Sequence, residues 1–258
     1  MTDTDTIKKN FSRFAEYYDS YAQIQNLSAN KLIRQLTAQR YNSILDIGCG
    51  TGNYTSLLQN KFPFASITAM DISTRMIEVA RQKLQKGNID FVIADAETAL
   101  LEDSFELITS NACFQWLGCL DTTLAKYKDL LTSNGAILFS MFGPSTYCEL
   151  RQVLEYFDHS SAQISSAAFV GKDNLKEILE KQFGKVSITE QIYKKTYPSL
   201  WELLNTIKYT GTRGSGFNGN RITRPQLKKL QQVYKTKFKS ITATYQIFYC
   251  RAEDTSEM

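Results

Sequence analysis

Short apolar runs alternate with amphipathic stretches along residues 43–142 of the chain. In the stretches "TRMIEVARQKLQK" and "LDTTLAKYKDLLT" the apolar residues recur at helical spacing, so we expect helices there. The apolar runs have the length and the flanking turn signals of buried strands. These predicted strands are "SILDI" (43–47), "SITAM" (66–70), "IDFVIA" (89–94), "FELITS" (105–110) and "AILFSMF" (136–142).

Strands and helices in strict alternation predict a parallel sheet covered by helices on both faces, because the connections are right-handed crossovers. A chain of 258 residues, of which 43% are hydrophobic, can bury one large core with an elaboration. The predicted fold class is therefore α/β, with a Rossmann-like sheet. In such sheets ligands bind at the carboxyl ends of the strands.

The hydropathy and the cysteines indicate where the protein works. No apolar window is long enough to cross a bilayer, and no apolar signal segment follows the first residues. The five cysteines are scattered without CxxC spacing, which favours free thiols in a reducing compartment. His159 is the single histidine, so a multi-histidine metal centre is excluded. We expect a soluble cytoplasmic protein without a bound metal.

The glycine-rich turn after the first predicted strand reads "DIGCGTGN". Its glycines, at Gly48, Gly50 and Gly52, form GxGxG, which lacks the last glycine of a dinucleotide-binding turn and the Lys-Ser/Thr pair of a phosphate loop. Asp46 stands two residues before the first glycine. A carboxylate there would repel a pyrophosphate by roughly 1 to 4 kcal/mol at about 4 Å, and it would attract a cation.

Two more carboxylates follow the next predicted strands. Asp71 closes the second strand, where it can accept hydrogen bonds from both hydroxyls of a ribose, although Asp71 and Ser73 also compete as helix N-caps. Asp95 follows the third strand, where it can bind an adenine amino group. A ligand with a cation near the turn and an adenosine beyond it satisfies all these positions. S-adenosylmethionine (SAM) is such a ligand.

The motifs "ILDIGCGTGN", "AMDIS", "FVIADAE" and "SN" resemble, in order and spacing, those of class I SAM-dependent methyltransferases over about residues 40–142. The resemblance implies a seven-stranded, mostly parallel sheet whose last strand, "ITATYQIFYC", is inserted antiparallel. For Met76, a place in the core is as good an interpretation as an adenine contact. The cofactor candidates are Tyr21, Gln25, Asp46, Gly48, Gly50, Gly52, Asp71, Ile72, Met76, Asp95, Ala96, Glu97 and Asn111.

The segment after the fourth predicted strand indicates the class of methyl acceptor. It reads "SNACFQWLGCLD" and lacks the Asn-Pro-Pro-aromatic motif used to methylate base amino groups. It also offers no obvious general base. An acceptor that is already anionic needs none, because a positioned and desolvated carboxylate can attack the methyl group directly.

Three stretches outside this core carry a closer resemblance: "FSRFAEYYDSYAQIQ" (11–25), "FGPSTYCELRQVL" (142–154) and "LLNTIKYTGTRGSG" (203–216). They resemble malonyl-[acyl-carrier protein] O-methyltransferases of biotin synthesis, with departures such as Ser145 in place of a common glycine. The resemblance implies methylation of the free carboxylate of a malonyl thioester, on carrier protein or coenzyme A, to prime pimeloyl formation. The candidates for holding that carboxylate are Tyr18, Gln115, Trp116, Arg151, Lys208 and Tyr209.

The resemblance also implies a domain organisation with a mostly helical cap over the acceptor site. Its successive parts are N-terminal lid helices (1–40), the SAM-binding core (41–142), a cap insertion (143–170), a continuation of the core (171–193), a basic cap or docking segment (194–240), and the last core strand with the tail (241–258).

The net charge of +4 is unevenly distributed along the chain. Residues 171–258 carry 16 basic and 8 acidic side chains, and Glu202 is the single acid between Lys194 and Lys239. Such a block is either a solvated helix face or a surface for an acidic partner. The family resemblance implies an acidic acyl carrier protein, with docking candidates Lys194, Lys195, Arg213, Arg221, Arg224, Lys228 and Lys229.

Three other interpretations stay open on the sequence. The first is methyl transfer to a free polycarboxylate such as trans-aconitate, or to a carbon of a quinone precursor. The second is a SAM-binding protein without catalysis. The third is nucleic-acid binding through the basic block, although no aromatic stacking platform is evident.

Overall fold

The computed structural model describes residues 4–36, 40–157, 164–211 and 223–254. Short 3₁₀ turns cover Phe114–Trp116 and Ser165–Ala168. The strands are β1 (Ser43–Ile47), β2 (Ser66–Asp71), β3 (Ile89–Ile93), β4 (Phe105–Asn111), β5 (Leu131–Phe142), β6 (Lys185–Tyr197) and β7 (Ile241–Glu253). The α-helices are α1 (Thr4–Tyr21), α2 (Gln23–Gln35), α3 (Asn53–Lys61), α4 (Thr74–Lys83), α5 (Leu120–Asp129), α6 (Cys148–Phe157), α7 (Lys172–Gln182), α8 (Leu200–Tyr209) and α9 (Arg224–Phe238).

The strands form one seven-stranded sheet in the order β3-β2-β1-β4-β5-β7-β6. β7 runs antiparallel to both of its neighbours, and the other neighbouring pairs are parallel. The predicted Rossmann-like class and the antiparallel last strand are therefore confirmed. The order reverses direction beside β1, so the carboxyl ends of β1, β2, β3 and β4 meet at the switch point where α/β sheets bind ligands.

The predicted boundaries differ from the structure mainly around β5. The helical pattern from residue 120 predicts a helix through residue 132, but α5 ends at Asp129 and β5 already begins at Leu131. Leu131 pairs with Phe105, and a register shift follows before Leu107 pairs with Ala136. Polar residues fill this irregular stretch, which is why no apolar strand pattern marks it.

Helices cover both faces of the sheet, as the alternating pattern predicts. One apolar cluster packs Ile44 and Leu138 of the sheet against α2, α3, α6, α8 and α9. The other packs Leu45 and Ile137, the adjacent strand positions, against α5 and α7. Successive strand residues face opposite sides of a sheet, so a continuous apolar run feeds both clusters at once.

The last helices cover the sheet on the side of α2. Glu149 of α6 is buried and accepts hydrogen bonds from the amide and the hydroxyl of Thr244, at 2.9 and 2.5 Å. The Leu200 amide, at the start of α8, donates to Gln231 Oε1 of α9 at 3.0 Å. The predicted boundary between residues 193 and 194 falls inside β6, so the first residues of the basic segment belong to the sheet. Among the described helices, none combines the length and the apolar character needed to cross a membrane.

Candidate active site

The glycine-rich turn joins β1 to α3 and brings its backbone against β2. The amides of Gly48 and Cys49 donate to the carbonyl of Met70 at 2.7 and 3.0 Å. Gly48, Gly50 and Gly52 all have positive φ, which glycine adopts without steric cost. A Cβ on Gly48 would lie 2.3 Å from Cys113 Sγ, whereas a Cβ on Gly50 would meet no atom within 4 Å. The turn is therefore closed at Gly48 and open toward a cavity at Gly50.

Asp71, the last residue of β2, connects this turn to the next helix. Its Oδ2 accepts from the Gly50 amide at 3.0 Å, and its Oδ1 accepts from the Ser73 amide at 2.8 Å. Ser73, and not Asp71, is the N-cap of α4, because its hydroxyl accepts from the Met76 amide. Burial raises the pKa of Asp71 to about 6, while the hydrogen bonds from Ser73 and Gly50 oppose the rise.

Asp46 lies beneath the turn and is 1% exposed. Its Oδ2 accepts from the Thr55 hydroxyl at 2.6 Å, and its Oδ1 has no hydrogen-bond partner within the described parts of the chain. Burial raises the pKa of Asp46 to about 7, against the lowering effect of Thr55. Two carboxylates that are costly to bury thus stand at neighbouring strand ends, where a bound cation would stabilise their charge.

The loop after β3 is held by α5 through its carbonyl groups. Lys126 Nζ donates to the carbonyls of Ala96, Glu97 and Ala99 at 2.7, 3.1 and 3.1 Å. The Tyr127 hydroxyl also donates to the Ala96 carbonyl, at 2.8 Å. Sequence reasoning missed Lys126, because a lysine within a helical pattern carries no local sign of such a distant role.

Asn111, the last residue of β4, is fixed from two sides. Its Nδ2 donates to the main-chain carbonyl of Gln25, and its Oδ1 accepts from the Ser140 hydroxyl at 2.9 Å. The next residue, Ala112, has φ of 57°, a strained value for a residue with a side chain. Its amide donates to the Ser140 carbonyl, which holds this tight turn at the end of β4.

The lid helix α1 closes over these strand ends and is fastened by Asp19. Asp19 Oδ1 accepts from the Thr51 hydroxyl and the Asn53 side chain at 2.5 and 2.9 Å. Its Oδ2 forms an ion pair with Lys83 at 2.6 Å. Farther along α1, Glu16 pairs with Arg75 on the surface. Asp19 lies within the aromatic stretch that predicts the lid, but only the fold shows that the glycine turn is its partner.

A cavity lies between the lid and the strand ends. The charged side chains in its lining are Asp71, Asp95 and Glu97, while Phe11 of the lid and Trp116 supply an aromatic wall. The rings of Phe11 and Trp116 meet edge to face with centroids 6.0 Å apart. The cavity therefore combines an acidic side, which suits a cation, with an apolar side that excludes water.

Most of the cofactor candidates line this cavity, and four lie elsewhere. Asp46 lies below the turn. Gly52, at the start of α3, lies close to the side chain of Leu84. Gln25 contributes a main-chain carbonyl to Asn111, and Tyr21 stacks on Tyr209 with ring centroids 4.5 Å apart. The cofactor candidates in the lining are Gly48, Gly50, Asp71, Ile72, Met76, Asp95, Ala96, Glu97 and Asn111.

Only Tyr18 and Trp116 among the acceptor candidates line the cavity. Gln115 is buried, and its side-chain amide bonds to the Ala112 carbonyl and the Phe142 amide. Arg151 donates to the Pro144 carbonyl at 3.1 Å. The structure therefore does not bring these last two side chains to the cofactor cavity.

Lys208 and Tyr209 of α8 lie outside the cavity, against the outer side of the lid. Lys208 Nζ is 5.3 Å from the Phe14 ring centroid and 4.7 Å from that of Tyr209. Tyr209 also meets Phe14 edge to face. Both residues therefore pack α8 against the lid. His159, the single histidine of the sequence, lies outside the described residues.

Comparison with known proteins identifies the family. The family described as "Methyltransferase domain" matches residues 44–135. Malonyl-[acyl-carrier protein] O-methyltransferase 1 of Ilyobacter polytropus is 35% identical over 92% of this chain and 89% of its own length. The corresponding protein of Priestia megaterium is 36% identical over 83% of this chain and 84% of its own. The chain belongs to the malonyl-[acyl-carrier protein] O-methyltransferase family.

A solved methyltransferase structure shares the fold of this chain. Phosphoethanolamine N-methyltransferase 2 of Haemonchus contortus, solved with phosphomonomethylethanolamine and S-adenosylhomocysteine, superposes with a TM-score of 0.61. It is 17% identical and covers 96% of this chain and 60% of its own. At that identity the likeness extends to the fold alone. The family predicted from the sequence is confirmed by the curated relatives.

The cavity of this O-methyltransferase family member has the features that SAM requires. A Cβ on Gly50 would have no protein atom within 4 Å, so the space above this residue is open. A ligand can therefore approach the backbone closely at Gly50. Asp71 is oriented by two amides, so its carboxylate is held in place at the cavity wall, where we expect it to accept hydrogen bonds from a ribose. Met76 is buried and also lines the cavity, so its core and cofactor interpretations are compatible.

We predict that Asp19→Ala weakens SAM binding about tenfold, because it removes a charged hydrogen-bond centre that joins the lid to the turn. Isothermal titration would measure the dissociation constant. Glu16→Ala on the same helix is the matched control; its surface ion pair should contribute little, so the change should stay below about threefold. Equal effects of the two variants would contradict the assigned role of Asp19.

We also predict that SAM affinity falls as the pH drops from 8 to 5. The pKa of Asp71 is about 6, so at pH 5 about one carboxyl group in ten stays ionised, and affinity should fall roughly tenfold. The Asp71→Asn variant should bind SAM weakly at pH 8, and its affinity should no longer fall near pH 6. The Asp46→Asn variant should keep the fall in affinity near pH 6. Titrations of each variant with SAM between pH 8 and pH 5 would measure these affinities. A flat profile in the unaltered protein would rule out this role for Asp71.

Proposed function

We propose that this protein transfers the methyl group of SAM to the free carboxylate of a malonyl thioester. The observation that carries the proposal is the match, across nearly the whole chain, to proteins named malonyl-[acyl-carrier protein] O-methyltransferase. The cavity supports it, because it has an acidic side for a cationic cofactor and an aromatic side for the reaction. The product would be the malonyl methyl ester that primes pimeloyl formation in biotin synthesis.

The residues around the turn would hold the cofactor. We assign the ribose to Asp71, the adenine edge to Asp95 and its loop, and the methionine part to Gly48, Gly50 and Asn111. Lys126 would keep the adenine loop in place through its three carbonyl contacts. When bound, SAM supplies an electrophilic methyl group on a positively charged sulfur.

The acceptor side would act by positioning and desolvation. A malonyl carboxylate is ionised at neutral pH and needs no proton removed, so no general base is assigned. Phe11 and Trp116 would exclude water from it, which makes the carboxylate a stronger nucleophile. Tyr18 stays a neutral hydrogen-bond donor, since burial and the nearby carboxylates of Asp19 and Asp71 raise its pKa. Because the charged lining is acidic, the attraction on the incoming anion would come chiefly from the cofactor's positive charge.

Methylation has a physical purpose in this reaction. A free carboxylate is costly to place in the apolar channel of chain-extending enzymes, and the ester removes that charge. We place the reaction in the cytoplasm, where the five cysteines, all free thiols in the structure, would stay reduced. The lid (residues 1–40) would then close the site. The core with its continuation would bind the cofactor, and the cap would bind the acceptor.

The direct test incubates the purified protein with methyl-labelled SAM and either malonyl-coenzyme A or malonyl-carrier protein. We expect one methyl group on the malonyl part, found by mass spectrometry, and none on the matched acetyl thioester, which has no free carboxylate. Transfer to free trans-aconitate but to neither malonyl thioester would overturn the substrate and favour the polycarboxylate alternative. Binding of SAM without any transfer would favour the non-catalytic alternative.

We further propose that an acidic carrier protein docks on α9. Arg224, Lys228 and Lys235 are exposed and lie within about 40° of one another around the helix axis. Lys229 points about 100° away from Lys228. Lys194 and Lys195, as neighbours in β6, face opposite sides of the sheet.

The remaining candidates add nothing to this stripe. Lys195 Nζ lies 4.8 Å from the Tyr197 ring centroid, on the face that α8 covers. Arg213 and Arg221 lie outside the described residues. The α9 stripe, defined as Arg224, Lys228 and Lys235, is therefore the part of the basic block that we take forward.

Reversing the three charges of the α9 stripe to glutamate should raise the KM for malonyl-carrier protein about tenfold at low salt and flatten its salt dependence. The kinetics with malonyl-coenzyme A should not change. The matched control reverses three exposed basic residues that line neither cavity, namely Arg34, Lys61 and Lys86. If the α9 variant loses no more carrier affinity than this control, the docking site is not on α9.

A further inference from the structure

A second cavity adjoins the cofactor cavity on the side of α5 and α7. It holds about 390 Å³ of space open to water-sized molecules, which lies within the range for small-molecule sites. It runs between the 3₁₀ turn at Phe114–Trp116, the start of α5, and the 3₁₀ turn at Ser165–Ala168. We call it the side groove.

Trp116 is the wall that the side groove shares with the cofactor cavity, together with Ile7 and Leu117. Its indole meets Phe11 edge to face on the cofactor side and Phe169 edge to face on the groove side, with centroids 6.0 and 5.3 Å apart. The side groove and the cofactor cavity therefore lie on opposite sides of Trp116.

The lining of the side groove suits a long, weakly polar ligand. Apolar side chains such as Leu120, Val170 and Ile178 form much of it. Its carboxylate, Asp121, accepts a hydrogen bond from Gln182 at 2.9 Å and is thus already engaged. The hydroxyl oxygen of Ser165 is buried and has no hydrogen-bond partner among the described residues. A buried hydroxyl in that state is suited to a ligand amide or carbonyl.

We propose that the side groove binds the pantetheine arm of the malonyl thioester, and that Trp116 is where the arm delivers the malonyl group to the cofactor. The inference rests on the proposed function, because it needs a substrate with a carboxylate at the end of a long chain. The arm is a linear chain with two amides, which matches a largely apolar groove whose lining includes the unpartnered Ser165 hydroxyl. Ser165 is then a specificity residue for the amide-bearing arm.

Two neighbouring alanines on one 3₁₀ turn test this assignment. Ala167 and Ala168 are both exposed, but only Ala168 lines the side groove. Ala168→Trp should fill the groove and raise the KM for malonyl-coenzyme A at least tenfold. It should change the KM for malonyl-N-acetylcysteamine, which lacks most of the arm, by less than threefold. Ala167→Trp should resemble the unaltered protein with both substrates, and SAM affinity should be unchanged in both variants.

Equal KM values for malonyl-coenzyme A in Ala168→Trp and Ala167→Trp would overturn the groove assignment. So would an equal loss with the short thioester. If Ala168→Trp fails to fold, Ser165→Ala takes its place, with an expected rise of three- to tenfold in the KM for malonyl-coenzyme A and no rise for the short thioester. An unaltered protein that methylates no malonyl thioester at all would instead overturn the proposed function, and the groove assignment with it.

Discussion

The hydrogen bonds of the Asp71 carboxylate are the interaction on which the site depends. One oxygen holds the Gly50 amide of the turn after β1, and the other holds the Ser73 amide before α4. A single side chain at the end of β2 thus fixes the turn and the start of the next helix relative to each other. The two amides offset part of the desolvation cost that burial imposes on the charge, and Asp46 below the turn lacks such compensation on one oxygen.

The lid and the loops around the buried carboxylates are held by charged hydrogen bonds. Asp19 attaches the lid to the glycine turn, and Lys126 attaches the loop after β3 to α5. Both contacts are ionic or charge-assisted hydrogen bonds that cross between separate elements. They keep the donors and acceptors around the cavity in place before a ligand arrives, which lowers the cost of ordering them during binding.

Strands β1 to β4 and helices α4 and α5 could be predicted from the sequence, because each of these strands is a short apolar run and both helices have a clear apolar period. The same holds for Asp71 and Gly50, whose place at a strand end or in a turn is a local feature. The roles of Asp19, Lys126 and Ser165 could not be predicted, since their partners lie on elements distant in sequence. Arg151 and Lys208 show the opposite case. Their residue types suit an anion, but the fold commits Arg151 to the Pro144 carbonyl and Lys208 to two aromatic rings.

We infer that the acceptor carboxylate is drawn to the positive charge of the cofactor, beside a cavity whose charged lining is acidic. The most direct measurement is the affinity for malonyl-coenzyme A of protein saturated with one of two cofactor analogues. S-adenosylhomocysteine has a neutral sulfur, whereas sinefungin has an ammonium group near that position. We expect malonyl-coenzyme A to bind at least tenfold more tightly with sinefungin, and acetyl-coenzyme A to bind equally with both. Equal affinity of malonyl-coenzyme A for the two complexes would show that the cofactor's charge does not attract the acceptor carboxylate.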